Sequence, residues 1–124
     1  MKELLLVAAG GALGAAARWG LGGWVAERLG PGFPWHTAVV NVSGALLIGL
    51  LMGVTMGRAS VSPDWRAFLG TGVLGGYTTF STLAYETVRL IEQGFWGQAT
   101  LNMFGSGALG IVAALVGLTL GRLV

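Results

Sequence analysis

A chain of 124 residues that is 54% hydrophobic and only 10% charged, with mean hydropathy +0.75, has too little polar surface to cover itself in water. Soluble domains carry roughly a quarter charged residues, so the expected solvent is a lipid bilayer. The net charge of +2 comes from seven basic and five acidic residues without a Lys/Arg cluster, which leaves nucleic acid no electrostatic footprint; no cysteine is present, and one histidine without paired intramembrane carboxylates leaves no constellation for an enzyme.

The chain opens Met1-Lys2-Glu3 before an apolar run, with Ala15-Ala16-Ala17 as a small-residue stretch. A signal peptide would read similarly, but Glu3 is unusual in its charged region and apolar character resumes after Arg18, so a first transmembrane span over about residues 4–25 is expected. Gly30-Pro31-Gly32-Phe33-Pro34 is a loop by composition. A second span covers about residues 35–57. Arg58 to Arg66 is polar, and Ser62-Pro63-Asp64 marks a helix start. A third span covers about residues 67–90 and a fourth about 95–120. Trp24, Trp35, Trp65 and Trp96 fall near span ends, as an interfacial aromatic belt requires. The expectation is an all-α membrane protein, a single four-helix transmembrane domain over residues 1–124.

Four spans place both termini on one side. Lys2, Arg58, Arg66 and Arg122 lie on that side and Arg28 and Arg89 on the other, a weak positive-inside bias. A single orientation and insertion in both, which would permit an antiparallel homodimer, stay open. Glycines recur at four-residue spacing, as Gly10/Gly14, Gly49/Gly53/Gly57, Gly72/Gly76 and Gly117/Gly121. In lipid that spacing lets helix backbones approach closely.

Polar residues inside spans are costly, so they mark candidate sites. Arg18 either snorkels to the nearer interface or faces an aqueous vestibule. Thr37 and Asn41 share a helix face, and the Asn amide offers two N–H donors. Asn102 and Ser106 make a short polar stripe on the fourth span, ended by Gly110 and Ala114. The densest segment is Gly75-Gly76-Tyr77-Thr78-Thr79-Phe80-Ser81-Thr82. Its two glycines invite a break in the third helix near Gly75–Thr79, which a membrane tolerates only where protein, ions or water satisfy the freed backbone. Free carbonyls beside a Thr hydroxyl suit a small hard cation. Ser81, Thr82 and the electropositive ring edge of Phe80 suit a small anion better. The bland alternative is that the hydroxyls bond back to the preceding turn.

Taken together, Gly10-Gly11-Ala12-Leu13-Gly14-Ala15 with Arg18, Val40-Asn41-Val42-Ser43-Gly44 with Gly49, and Gly75 to Thr82 with Glu86 resemble the CrcB/Fluc family of small fluoride channels over nearly the whole chain. The resemblance implies a dual-topology antiparallel homodimer in the cell inner membrane with two passive fluoride pathways that export fluoride and reduce its toxicity. It implies a structural sodium ion at the dimer centre, held by main-chain carbonyls at Gly75 and Thr78. It also implies that Asn41 and Phe80 line the pore, with Thr37 near its vestibule and Arg18 in the family's first-helix motif. Two departures stand out. Leu83 occupies the place of the family's second pore phenylalanine, and Gly110 and Ala114 fall where hydroxyl residues are often seen. Two other functions are weighed against this one. A proton-coupled small multidrug transporter would have to use Glu86, the one carboxylate well inside a span. A non-transporting assembly subunit would leave the Thr-rich break unexplained. His36, at a span end, reads as an interfacial residue.

Overall fold

The computed structural model describes residues 1–56, 58 and 61–124, and every regular element among them is helical. We number the helices α1 (Lys2–Leu29), α2 (Trp35–Thr55), α3 (residues 63–77), α4 (Phe80–Glu92) and α5 (Trp96–Leu123). By length and apolar composition α1, α2 and α5 are each able to cross a membrane. The region expected as a third span with a break near Gly75–Thr79 is two helices, α3 and α4, separated by Thr78 and Thr79.

Local chemistry sets most boundaries. Gly30 takes φ +79° and its N–H closes α1 onto Ala26 O at 2.9 Å, a left-handed position suited to glycine. Ser62 caps α3, its hydroxyl accepting the Asp64 N–H at 3.1 Å with Pro63 at the first helical position. Within α3, Arg66–Leu74 is wound in wide π-type turns, and the Gly75 N–H reaches back five residues to Gly70 O. Leu101–Gly105 in α5 is wound the same way.

The glycine spacings pair off. Gly10 and Gly14 of α1 face Gly72 and Gly76 of α3: a methyl on Gly14 would run into Val73 O, and one on Gly76 would lie 2.6 Å from Gly11 O. Gly49 and Gly53 of α2 face Gly117 and Gly121 of α5, where added methyls would strike the backbones of Ala114, Leu118, Leu46 and Leu50. Gly57, the third member of the α2 ladder, lies outside the described residues. Lipid offers helices no hydrophobic drive to associate, so close backbone packing supplies the contact. Large apolar side chains accordingly point outward: Leu13, Phe104 and Ile111 are exposed, while many of the buried positions are glycines. Trp24, Trp35, Trp65 and Trp96 are all exposed near helix ends. At one end of the molecule Lys2 pairs with Asp64 at 2.7 Å, and Arg66 Nη2 donates to Thr55 O at 2.6 Å, capping α2.

Candidate functional site

The site grows from the two threonines between α3 and α4. Thr78 (φ −88°, ψ 156°) and Thr79 (φ −150°, ψ 113°) are extended. Leu74 O accepts both the Thr78 N–H at 3.1 Å and the Thr78 hydroxyl at 3.0 Å, which closes α3. Thr79 Oγ1 accepts the Thr82 N–H at 3.2 Å and so caps α4. Part of the hydroxyl density is therefore local backbone chemistry. The break lies within the expected Gly75–Thr79 interval, at Thr78 and Thr79, and not at Gly75 and Gly76 themselves. Both are helical, and Gly76 is small because the α1 backbone presses on it at Gly11.

Asn41 of α2 spans the gap. Its Nδ2 donates to Thr79 O at 2.9 Å and its Oδ1 accepts the Thr79 N–H at 2.8 Å. The amide thus satisfies both backbone groups of one extended residue, as a neighbouring strand would. Two other carbonyls lose their helical donors. The Thr79 N–H that an unbroken helix would give to Gly75 O goes to Asn41, and the Thr82 N–H that would reach Thr78 O goes to Thr79 Oγ1. From α1, Arg18 Nε donates to Gly76 O at 3.1 Å. Arg18 is therefore tied to the last turn of α3, just before the break. Ser43 and the Tyr77 hydroxyl, 2.8 Å apart, brace the same region.

Thr79 lines a cavity on each side of the break. One is an open groove of about 520 Å³ lined by Asn41, Gly75, Thr78, Phe80, Leu83 and Ser106, with Gly110 and Ala114 continuing it along α5. Phe80 is 70% exposed at this groove whereas Leu83 is buried. The other is a cleft of about 340 Å³ where Arg18, His36, Thr37, Thr79 and Thr82 meet. Ser81 is exposed, its hydroxyl 3.3 Å from Thr79 Oγ1. Asn102, expected to share a path with Ser106, is not part of the groove lining. It is fully buried, its Nδ2 donating to Thr87 Oγ1 at 3.2 Å and its Oδ1 left without a donor among the described residues.

Glu86 lies in an outer cleft of about 330 Å³ beneath the Gly30–Pro34 loop. Its Oε2 accepts from the Thr37 hydroxyl at 2.9 Å and contacts His36 Nε2 at 3.0 Å. Oε1 is buried without a partner among the described residues. His36 is therefore more than an interfacial residue, and reading it as one missed this pair. The sequence held a signal: a lone carboxylate inside a span needs a polar partner, and the one histidine adjoins Thr37.

A family model described as CrcB-like protein, Camphor Resistance (CrcB), matches residues 5–118. The chain belongs to the CrcB family. A protein of Thermus thermophilus named fluoride-specific ion channel FluC is 50% identical over 98% of this chain and 94% of its own length. Proteins of the same name from Acidobacterium capsulatum and Rhizobium meliloti are 48% and 45% identical, each covering at least 96% of both chains. These CrcB relatives carry the name of a channel, not of an enzyme. In this CrcB chain Asn41, Gly75, Thr78 and Phe80, all within the segments that carry the resemblance, lie at the break or line the groove beside it.

Proposed function

We propose that this chain is a passive fluoride-selective channel of the cell inner membrane that lowers cytoplasmic fluoride and so reduces its toxicity. It works as an antiparallel homodimer of one four-span domain, residues 1–124, with copies inserted in both orientations. The observation that carries this function is the Asn41–Thr79 clasp. It holds an extended segment inside an apolar bundle and sets polar donors beside an open groove. Relatives sharing about half of the sequence are named fluoride-specific channels.

Fluoride is small and strongly hydrated, so a path for it needs donors that replace water closely without trapping the ion. The second Asn41 N–H, the Ser106 hydroxyl and the Phe80 ring edge line the groove for this purpose. Ser81 and Thr82 continue the path at the start of α4, with Thr37 and Arg18 at its vestibule. Asn102 supports the α5 end of the path through Thr87. Arg18, tied to Gly76 O, is not among the groove-lining residues, so among the described residues no charged side chain lines the groove to trap the ion. The groove is open on one copy and Phe80 is exposed, which a second copy would cover. The released Gly75 and Thr78 carbonyls are hard oxygen donors and fit a sodium ion shared by two copies. Bound there, sodium would satisfy those carbonyls and place a positive charge at the dimer centre.

Efflux from liposomes containing the purified protein tests the function. With valinomycin present, potassium fluoride leaves rapidly and potassium chloride no faster than from protein-free liposomes. Equally slow release of both salts refutes it.

A further inference from the structure

A second groove lies between α2 and α3, apart from the break. It holds about 420 Å³, and every residue lining it is leucine or valine, Leu47, Leu51 and Val54 of α2 and Leu69 and Val73 of α3 among them. Leu74 is the one residue that it shares with the groove at the break. The two grooves lie on different faces of α2, which turns Asn41, Gly44, Ala45 and Ile48 to the break and Leu47, Leu51 and Val54 to this one. The volume suits a small ligand, but the lining offers no polar side chain to orient a water-soluble one. Hydrocarbon is the occupant that fits it.

One end of this groove carries positive charge. Val54 adjoins Thr55, whose carbonyl accepts from Arg66 Nη2 at 2.6 Å and from the Arg58 N–H at 3.2 Å. Arg66 also stands three residues before the groove-lining Leu69 on α3. Both arginines are thus tied to the end of α2 where the groove finishes. Arg58 is exposed and Arg66 partly so, and Arg66 Nε has no acceptor among the described residues. Of the acidic side chains at this end, Asp64 is paired with Lys2 at 2.7 Å and Glu3 stands in the first turn of α1. Neither forms an ion pair with Arg58 or Arg66 among the described residues. Gly57, Ala59 and Ser60, outside the described residues, have no charged side chain. Arg122 brings a further cation to the same end, its backbone nitrogen 3.1 Å from where a methyl on Gly53 would stand. Exposed Trp65, beside Arg66, marks this end as an interface.

We infer that this groove binds an anionic phospholipid, with an acyl chain lying between α2 and α3 and the headgroup phosphate on Arg58 and Arg66. A guanidinium offers paired N–H donors that match phosphate oxygens, and Arg66 is already held in place by Thr55 O. A free phosphate ion would use the arginines and leave the leucine face unfilled; a lipid uses both.

Native mass spectrometry of the purified full chain tests this, with equal amounts of phosphatidylglycerol and phosphatidylcholine of the same acyl chains added to the detergent. The unaltered protein retains phosphatidylglycerol over phosphatidylcholine by roughly tenfold, the order expected for two arginines beside an anionic headgroup. Arg58→Gln leaves the Arg66 bond to Thr55 in place and cuts the preference to about threefold. Leu47→Trp fills the groove and removes the retained phosphatidylglycerol while the number of subunits stays the same. Equal retention of both lipids by the unaltered protein overturns the inference without any variant. So does full preference in Arg58→Gln, or unchanged retention in Leu47→Trp. Loss of a subunit in Leu47→Trp assigns the leucine face to a second copy instead, and displacement of phosphatidylglycerol by excess inorganic phosphate assigns the arginines to a free anion; either result rejects the lipid. None of these readouts is ion flux, so their failure leaves the channel function untouched.

Discussion

The glycine seams and the break solve opposite problems with neighbouring pieces of the same helices. In the seams, α1 against α3 and α2 against α5, backbone groups stay inside their own helices and glycines remove whatever would hold the backbones apart. At the break, backbone groups leave the helix and distant side chains take them over, Asn41 from α2 and Arg18 from α1. Gly76 belongs to both, since its Cα packs on Gly11 while its carbonyl accepts from Arg18. The seams are repetitive and tolerate nothing larger than hydrogen; the break is unique and depends on hydrogen-bonding groups. The contrast predicts a division of labour, with seam damage felt as instability and break damage felt as lost transport.

The largest effect is expected at the break. Asn41→Asp removes both N–H donors and sets a carboxylate oxygen against Thr79 O. A buried acceptor left without its donor costs about 1–3 kcal/mol, and the new carboxylate opposes an entering anion, so fluoride efflux should fall about a hundredfold while the protein stays folded. Full efflux would remove Asn41 from the path. A smaller effect of the other kind is expected at the seam. Gly117→Val drives a branched side chain into the α2 backbone at Leu46 and Leu50. Overpacking of this sort costs about 1–3 kcal/mol, visible as a lower melting temperature in detergent, with fluoride-over-chloride selectivity retained by the folded fraction. Lost selectivity at unchanged stability would erase that division of labour. The smallest effect is expected at Leu83, which lines the roomy groove beside Phe80. Leu83→Phe should leave efflux unchanged or raise it up to about threefold, since a second ring edge adds a weak electropositive contact for the anion; a complete block would mean that the groove cannot take a second ring.

The two regions were also unequally legible in the sequence. A seam repeats, so Gly49/Gly53 and Gly117/Gly121 announced close packing, and only which ladder meets which required the fold. The helix positions of α1, α2 and α5 followed from apolar length, because lipid dictates it. The break was legible as a place but not as a mechanism. Gly75-Gly76 suggested that glycine loosens the helix, whereas the departure falls two residues later and is held open by an amide 38 residues upstream. Hydrogen bonds between remote elements leave no periodic trace, which is also why the His36–Glu86 pair and the burial of Asn102 against Thr87 went unread.

The wide turns of Arg66–Leu74 have a rotational consequence. A π-type turn takes up about one residue more than an α turn, and one residue is about 100° of azimuth on an α-helix. The same segment wound as a plain α-helix would deliver Thr78 and Thr79 at a different azimuth. The two bonds between Asn41 and Thr79 are made at the azimuth that these wide turns set. The phase of α3, set before the chain arrives at the break, decides which neighbour the opened backbone meets.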